Sequence, residues 1–185
     1  MSEYERQYED GSDPRVLDII DITLVERRPN GHQAENWLFD PDKYWVKVGE
    51  CNWTDLGRFT QTNGPLWINN HHTYHGQNDE VPVADAAAGS GSLRLVHVDA
   101  VHLTVFTPGA AFGNPKRRVQ GRFRFDGNDY ALWITDPRIE RLYLAQPDGD
   151  HDLGESYLTI SLGEPYQGAC YKLIAAVNER GGQIS

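Results

Sequence analysis

Sulfur is scarce in this chain: among 185 residues there are two cysteines, Cys51 and Cys170, and one methionine. With no CxxC and no Cys/His pair at ligand spacing, a zinc ribbon and a disulfide-stapled miniprotein are excluded, and both cysteines read as reduced, structural thiols. Long apolar runs are also missing. None reaches the roughly 18–20 residues that cross a bilayer, and the opening MSEYERQYED has no basic stretch followed by an apolar one. The sequence therefore predicts a cytoplasmic protein without a membrane partner. Positive charge is in deficit: 17 Lys and Arg against 27 Asp and Glu leave a net charge of −10. That disfavours coating of duplex nucleic acid by bulk phosphate neutralisation and confines any nucleic-acid contact to a local patch. No GxxxxGK[ST], GxGxxG or GxSxG occurs, so no cofactor is expected and an enzyme is the weaker reading.

What is present is a run of short apolar segments. SLRLVHV, VHLTVF, VQGRFRF, DYALWIT, YLTISL and CYKLIAAV follow one another after residue 92, separated by Gly, Pro, Asn or Asp. Short strands at that spacing predict a small barrel or sandwich. Ahead of them, Val16–Val25 reads as one half-buried strand, Pro65–Ile68 as another, and Asp40-Pro41 as the opening of a short helix running to Val48. Residues 69–92 read as a long polar loop ending in linker-like Ala, Gly and Ser.

The clearest element is the hairpin 119–135. Val119, Gly121, Phe123 and Phe125 alternate with Gln120, Arg122 and Arg124, and Tyr130, Leu132 and Ile134 continue the apolar face. If Gly127-Asn128 is the two-residue loop, Arg124 faces Ala131 and Arg122 faces Trp133. The outer face then carries arginines beside an indole, and Lys116, Arg117 and Arg118 lead into it without an intervening acid. Rings that stack on bases and cations that track phosphates are what single-stranded nucleic acid requires. The competing structural reading is an ordinary exposed cross-strand pair with solvated neighbours.

Other clusters carry less. His32, Gln33, Glu35 and Asn36 bring a base, an acid and two amides together, but hydrogen bonding within a loop explains them as well. His71, His72 and His75 lack the helical HExxH frame of a zinc protease and read as a solvated cluster. Asp148-Gly-Asp150-His-Asp152 imitates the start of a calcium loop, yet position twelve is Thr159, so an acidic turn is the better account.

Three long strings, GHQAENW at 31–37, FGNPKRRVQGRFRFDGNDYALWITDP at 112–137 and SLGEPYQGACYKLIAAV at 161–177, resemble the bacterial dual OB-containing domain family. The resemblance implies two small OB-like β-barrels in tandem and no particular reaction. It also implies that the first barrel lacks its start, because members of that family carry a Cys-Leu-Ala-Asn-Ser-like stretch ahead of the part that matches SEYERQYEDGSDPR. The expected fold is mainly β with a short helix: a polar leader (1–14), a partial N-terminal unit (15–88), a C-terminal barrel (89–178) and a tail (179–185).

OB barrels bind oligonucleotides or oligosaccharides on one sheet face and its loops. The leading expectation is thus a non-enzymatic protein that binds single-stranded DNA or RNA through Lys116, Arg117, Arg118, Arg122, Arg124 and Trp133. The alternative is a protein-interaction subunit of a bacterial defence or mobile-element system, docking through an exposed sheet edge or through Trp37, Tyr44, Trp45 and Trp53. A metal-dependent hydrolase using His32, Glu35 and the histidine loop ranks third.

Overall fold

The computed structural model describes residues 7–89 and 91–181. Strands dominate it. Four short ones, β1 (Asp18–Asp21), β2 (Leu24–Arg27), β3 (Trp37–Phe39) and β4 (Val46–Glu50), precede a 3-10 turn at Trp53–Phe59. They form two separate ladders, β1 with β4 and β2 with β3. The single strand expected over Val16–Val25 is broken between Asp21 and Leu24. The helix expected from Asp40-Pro41 is instead a turn, closed by Lys43 N–H donating to the Asp40 carbonyl, followed by β4. Pro41 thus opens a turn, and the alternating Val46-Lys-Val48 that follows has strand period, not helix period. Pro65–Ile68 is not a strand either, because Trp67 adopts a positive φ.

The second half is organised around a ring. β6 (Leu93–Val98) and β7 (Val101–Phe106) are one strand bent at Asp99-Ala100, and β10 (Gly149–Leu153) and β11 (Ser156–Leu162) are another bent at Gly154-Glu155. Their pairing runs without a slip across both bends, with Leu153 facing Val101 and Ser156 facing Val98. β7 pairs with β8 (Arg118–Phe125), β8 with β9 (Asn128–Ile134), β9 in parallel with β12 (Ala169–Glu179), and β12 with β11. Counting each bent pair as one, five strands follow one another in the order 1-2-3-5-4 and return to the first. That is the arrangement expected of an OB-like unit.

Alternation fills the ring. Val96, Leu103, Val119, Phe123, Leu132, Leu158, Ile160 and Ile174 all point into one buried cluster. Gly121 faces the same interior, where a Cβ would lie 2.5 Å from the Ile174 Cδ1 atom. One end is closed by helix α2 (Pro137–Leu144), whose Ile139 and Tyr143 join the cluster. Asp136 caps α2, accepting from the N–H groups of Arg138 and Ile139, and its other oxygen accepts from Val177 N–H on β12.

β9 and β12 touch over only two residue pairs before diverging. The gap is filled by the preceding polar segment: Gln77 exchanges two backbone hydrogen bonds with Ala131 of β9, while β5 (Glu80–Pro82) pairs with β12. Helix α1 (Val83–Ala88) follows, in place of the expected linker. Among the described residues before Leu66, only His32 is buried, and none belongs to a buried apolar cluster. No helix of the described residues is long and apolar enough to cross a membrane.

Candidate nucleic-acid interface

The hairpin turn is Asp126-Gly127, both with positive φ, as a two-residue reversal between twisted strands requires. It lies one residue earlier than Gly127-Asn128, so every pairing shifts by two. Arg124 faces Asp129, Arg122 faces Ala131, and Trp133 faces Gln120. A shift of two preserves the faces, and the arginines stay outside while Phe123, Phe125, Tyr130 and Leu132 stay in the core. The partner of the indole changes: Arg118, not Arg122, lies over Trp133, its guanidinium carbon 4.2 Å from the ring centroid.

The outer face of β7, β8 and β9 is partly covered by the loop 69–77. The Gln120 side chain donates to the His75 carbonyl at 2.7 Å, while Gln77 pairs with Ala131 along the edge of β9. His75 Nε2–H donates to the Pro108 carbonyl at 3.2 Å. These contacts bring a chain of rings together. Trp133 stacks on Phe106 with centroids 5.7 Å apart, His75 meets Phe106 edge-on at 5.5 Å, and Tyr74 meets His75 at 4.8 Å. Tyr74 is 93% exposed, and Phe112, on the 3-10 turn of the β7–β8 loop, is 87% exposed. Burial pushes the Arg118 guanidinium down from its ordinary value and Glu140 opposes the shift, but an arginine remains a cation throughout.

The cations named from sequence take different roles. Arg117 is spent on the fold, donating to Asp148 at 2.6 Å, to the Leu144 carbonyl at 2.8 Å and to the Gln146 carbonyl at 2.6 Å. Lys116 stands exposed in the β7–β8 loop. Arg122 makes one long contact, 3.4 Å to Gln120 Oε1, and Arg124 reaches the Gly127 carbonyl at 3.2 Å and Asp129 at 3.5 Å. Both arginines line a groove of about 430 Å³ with Gln77, Asp99 and His102. Arg118 and Trp133 stand at one end of β8 and Arg122 and Arg124 at the other, with the buried Gln120 and the His75 segment that covers it between them.

The second polar cluster is structural. His32 is 5% exposed, donates from Nε2 to the Leu162 carbonyl at 3.1 Å, and offers Nδ1 to the Cys170 thiol at 3.8 Å. Burial pushes that thiol up, which keeps it protonated. Glu35 accepts from the N–H and hydroxyl of Ser92. Burial pushes its carboxyl up, but those bonds outweigh burial and leave it below the ordinary value. Asn36 donates to Gln33 at 3.0 Å. Through His32 and Glu35 the β2–β3 connection is clamped to the ends of β6, β11 and β12. His72 Nδ1 accepts from Asn78 N–H at 2.7 Å, and among the described residues no three His, Cys, Asp or Glu side chains converge to hold a metal. The expected acidic turn is strand β10, where Asp150 accepts from Thr104 and Asp152 pairs with His102.

Sequence reading missed Phe106, Phe112 and Tyr74. Phe112 could have been found, because an aromatic between small residues and Gly113-Asn-Pro115 has no strand to bury it. Tyr74 and Phe106 come together only through the loop's path across the sheet.

No curated protein and no solved structure matches this chain. The sequence model of one family, described as Dual OB-containing domain, matches residues 1–177. The five-strand ring with α2 between its third and fourth strands agrees with that match, and the chain belongs to the dual OB-containing domain family.

Proposed function

We propose that the barrel binds single-stranded nucleic acid on the outer face of β7, β8 and β9. The observation that carries this reading is Arg118 stacked on Trp133, a half-buried cation that Glu140 attracts from a distance. Its planar group and the rings beside it suit bases, which present a π-face whatever their sequence. Lys116, Arg122 and Arg124 supply phosphate contacts on the same face. Acids on β10 border that face and restrict the path to the β8 side. Fluorescence anisotropy with labelled oligothymidylate and oligouridylate, from about 50 to 200 mM salt, tests it. Arg118→Ala should weaken binding about fivefold or more and reduce the salt slope by about 0.7. Unchanged affinity in Arg118→Ala refutes the assigned face.

A protein-interaction role is favoured by a separate observation. Val16, Val25, Trp37, Tyr44, Val46 and Val48 are each about half exposed, with Val25 at 60%. They lie on the two N-terminal ladders and their flanks, outside the buried apolar clusters, and apolar side chains left exposed in one part of a chain mark interaction sites. Trp53 does not belong to that surface, since its indole N–H donates to the Asn178 carbonyl at 3.1 Å and its ring packs on Tyr157. Light scattering on the purified chain tests self-association through this region, and Val25→Lys should abolish it.

A further inference from the structure

Lys172 of β12 is 1% exposed and takes no part in the face described above. Its Nζ donates to the Ile68 carbonyl at 2.5 Å and to the Asn78 carbonyl at 2.6 Å, and stands 5.4 Å from the Tyr130 ring centroid. Ile68 and Asn78 bracket the loop that carries Tyr74 and His75. A buried ammonium is costly, and an apolar side chain of the same length would fill the space without that cost. What the lysine adds is donors, and it uses them to tie both ends of one loop to one atom.

The rest of the loop is braced from within. Asp79, 2% exposed, accepts from the N–H and the hydroxyl of Thr73. A Cβ on Gly76 would lie 1.8 Å from that carboxylate, so only glycine fits there. Asn78 donates to the Asp129 carbonyl at 2.9 Å, and the Tyr130 hydroxyl donates to Asn69 at 3.0 Å. All this buried polar structure supports a tyrosine that is itself almost fully exposed. Rigid aromatic side chains held out to solvent give contact area at low entropic cost on binding.

We infer that Lys172 is a positioning residue of the binding face: it holds shut the base of loop 69–77, so that Tyr74 stands ready to stack on a base. The stacking half rests on the proposed function, and the loop-closing half stands without it. Two carbonyls match the two N–H bonds of a neutral amine, so loss of the third proton leaves the tie intact. Burial pushes Lys172 down to about 7, opposed by the attraction of Asp79. Asp79 and Tyr130 face the amine, and Glu80 and Tyr171 pair beside it. An opened loop would return the amine to its ordinary value of about 10.4, so raising the pH above 7 favours the closed form by up to about tenfold per unit.

Amide hydrogen exchange on the full chain, read by NMR, tests the tie. In Lys172→Met the N–H groups of Gln77 and Asn78 should exchange about tenfold faster or more, while those of Leu103 and Gly121 keep their rates. Anisotropy with labelled oligothymidylate tests the positioning: Lys172→Met and Tyr74→Ala should each cost about fivefold, and the double variant no more than either alone. Unaltered exchange, or losses that multiply, overturns the inference. Should Lys172→Met fail to fold, the wild type decides. The N–H groups of Gln77 and Asn78 in the wild type should be protected far above the rate of an open loop, and exchange at the unprotected rate overturns the inference. Absence of oligothymidylate binding by the wild type overturns the nucleic-acid reading instead, and the exchange result alone then decides the loop tie.

Discussion

Replacing Arg117 by alanine removes three hydrogen bonds at once, to Asp148, the Leu144 carbonyl and the Gln146 carbonyl. Two of these acceptors lie at the C-terminal end of α2, where carbonyls lack helical partners and a cation is favoured. A hydrogen bond to a charged group contributes about 1.5–3 kcal/mol when buried, and the side chain is 34% exposed, so each is discounted for solvent screening. The expected loss is about 2–3 kcal/mol, which lowers the urea midpoint by about 1 M for a chain of this size. Arg118→Ala loses a stacking contact of about 0.5–1 kcal/mol and relieves a half-buried charge, so its stability should change by less than about 1 kcal/mol. Oligonucleotide binding should invert the order: Arg118→Ala weakens it, and folded Arg117→Ala binds within about twofold of wild type. Paired urea melts and anisotropy titrations make the comparison. Equal destabilisation by the two changes, or equal loss of binding, refutes the division of labour between these neighbours.

Asp136→Ala should cost about 2–4 kcal/mol in urea unfolding, because it removes the α2 cap and leaves the Val177 N–H buried without a partner. Gly121→Ala places a methyl 2.5 Å from Ile174 Cδ1 and should lower stability by about 1–3 kcal/mol, with Ile174→Val restoring part of it. The Asp18 carboxyl is held at about 2 by Lys47, by Arg15 N–H and by the Tyr8 hydroxyl. With its folded value below its ordinary one, the tie among leader, β1 and β4 is fully present above about pH 4 and lost as pH falls through 2. An NMR titration of Asp18 near its ordinary value would contradict this.

Most of the ring was legible in the sequence, and the reason is alternation. β6, β7, β8, β9, β11 and β12 each place one face in the core, so apolar residues recur at every second position. β10 escaped because Gly149-Asp-His-Asp152 points its acids outward and buries only Leu153, leaving no apolar period to detect. α2 was signalled by Asp136-Pro137, a cap followed by proline in the first turn, but eight residues between two strands give a weak helical pattern. The hairpin faces were read correctly and its partners were not, because parity fixes the faces while the choice of turn fixes the register. Within the candidate site, Arg122, Arg124 and Trp133 could be named from the strand pattern. The separate fates of Arg117 and Arg118 depend on where α2 ends, and Lys172 depends on a loop about a hundred residues upstream.

The bent first and fourth strands of the ring meet across long stretches of chain: Val105 faces Gly149, and Leu93 faces Ser161. The β8–β9 hairpin closes over a two-residue turn. Loop-closure entropy delays the distant pairing relative to the local one, so the barrel should assemble from the hairpin outward, with the seam between β6 and β11 zipping last. Mutational φ-values are then expected to be high at Phe123 and Leu132 and near zero at Val96 and Leu158. The proposed binding face lies on the early-forming side, and the segments clamped by His32 and Glu35 dock on the late one. Substitutions in that clamp should therefore speed unfolding and leave the folding rate unchanged.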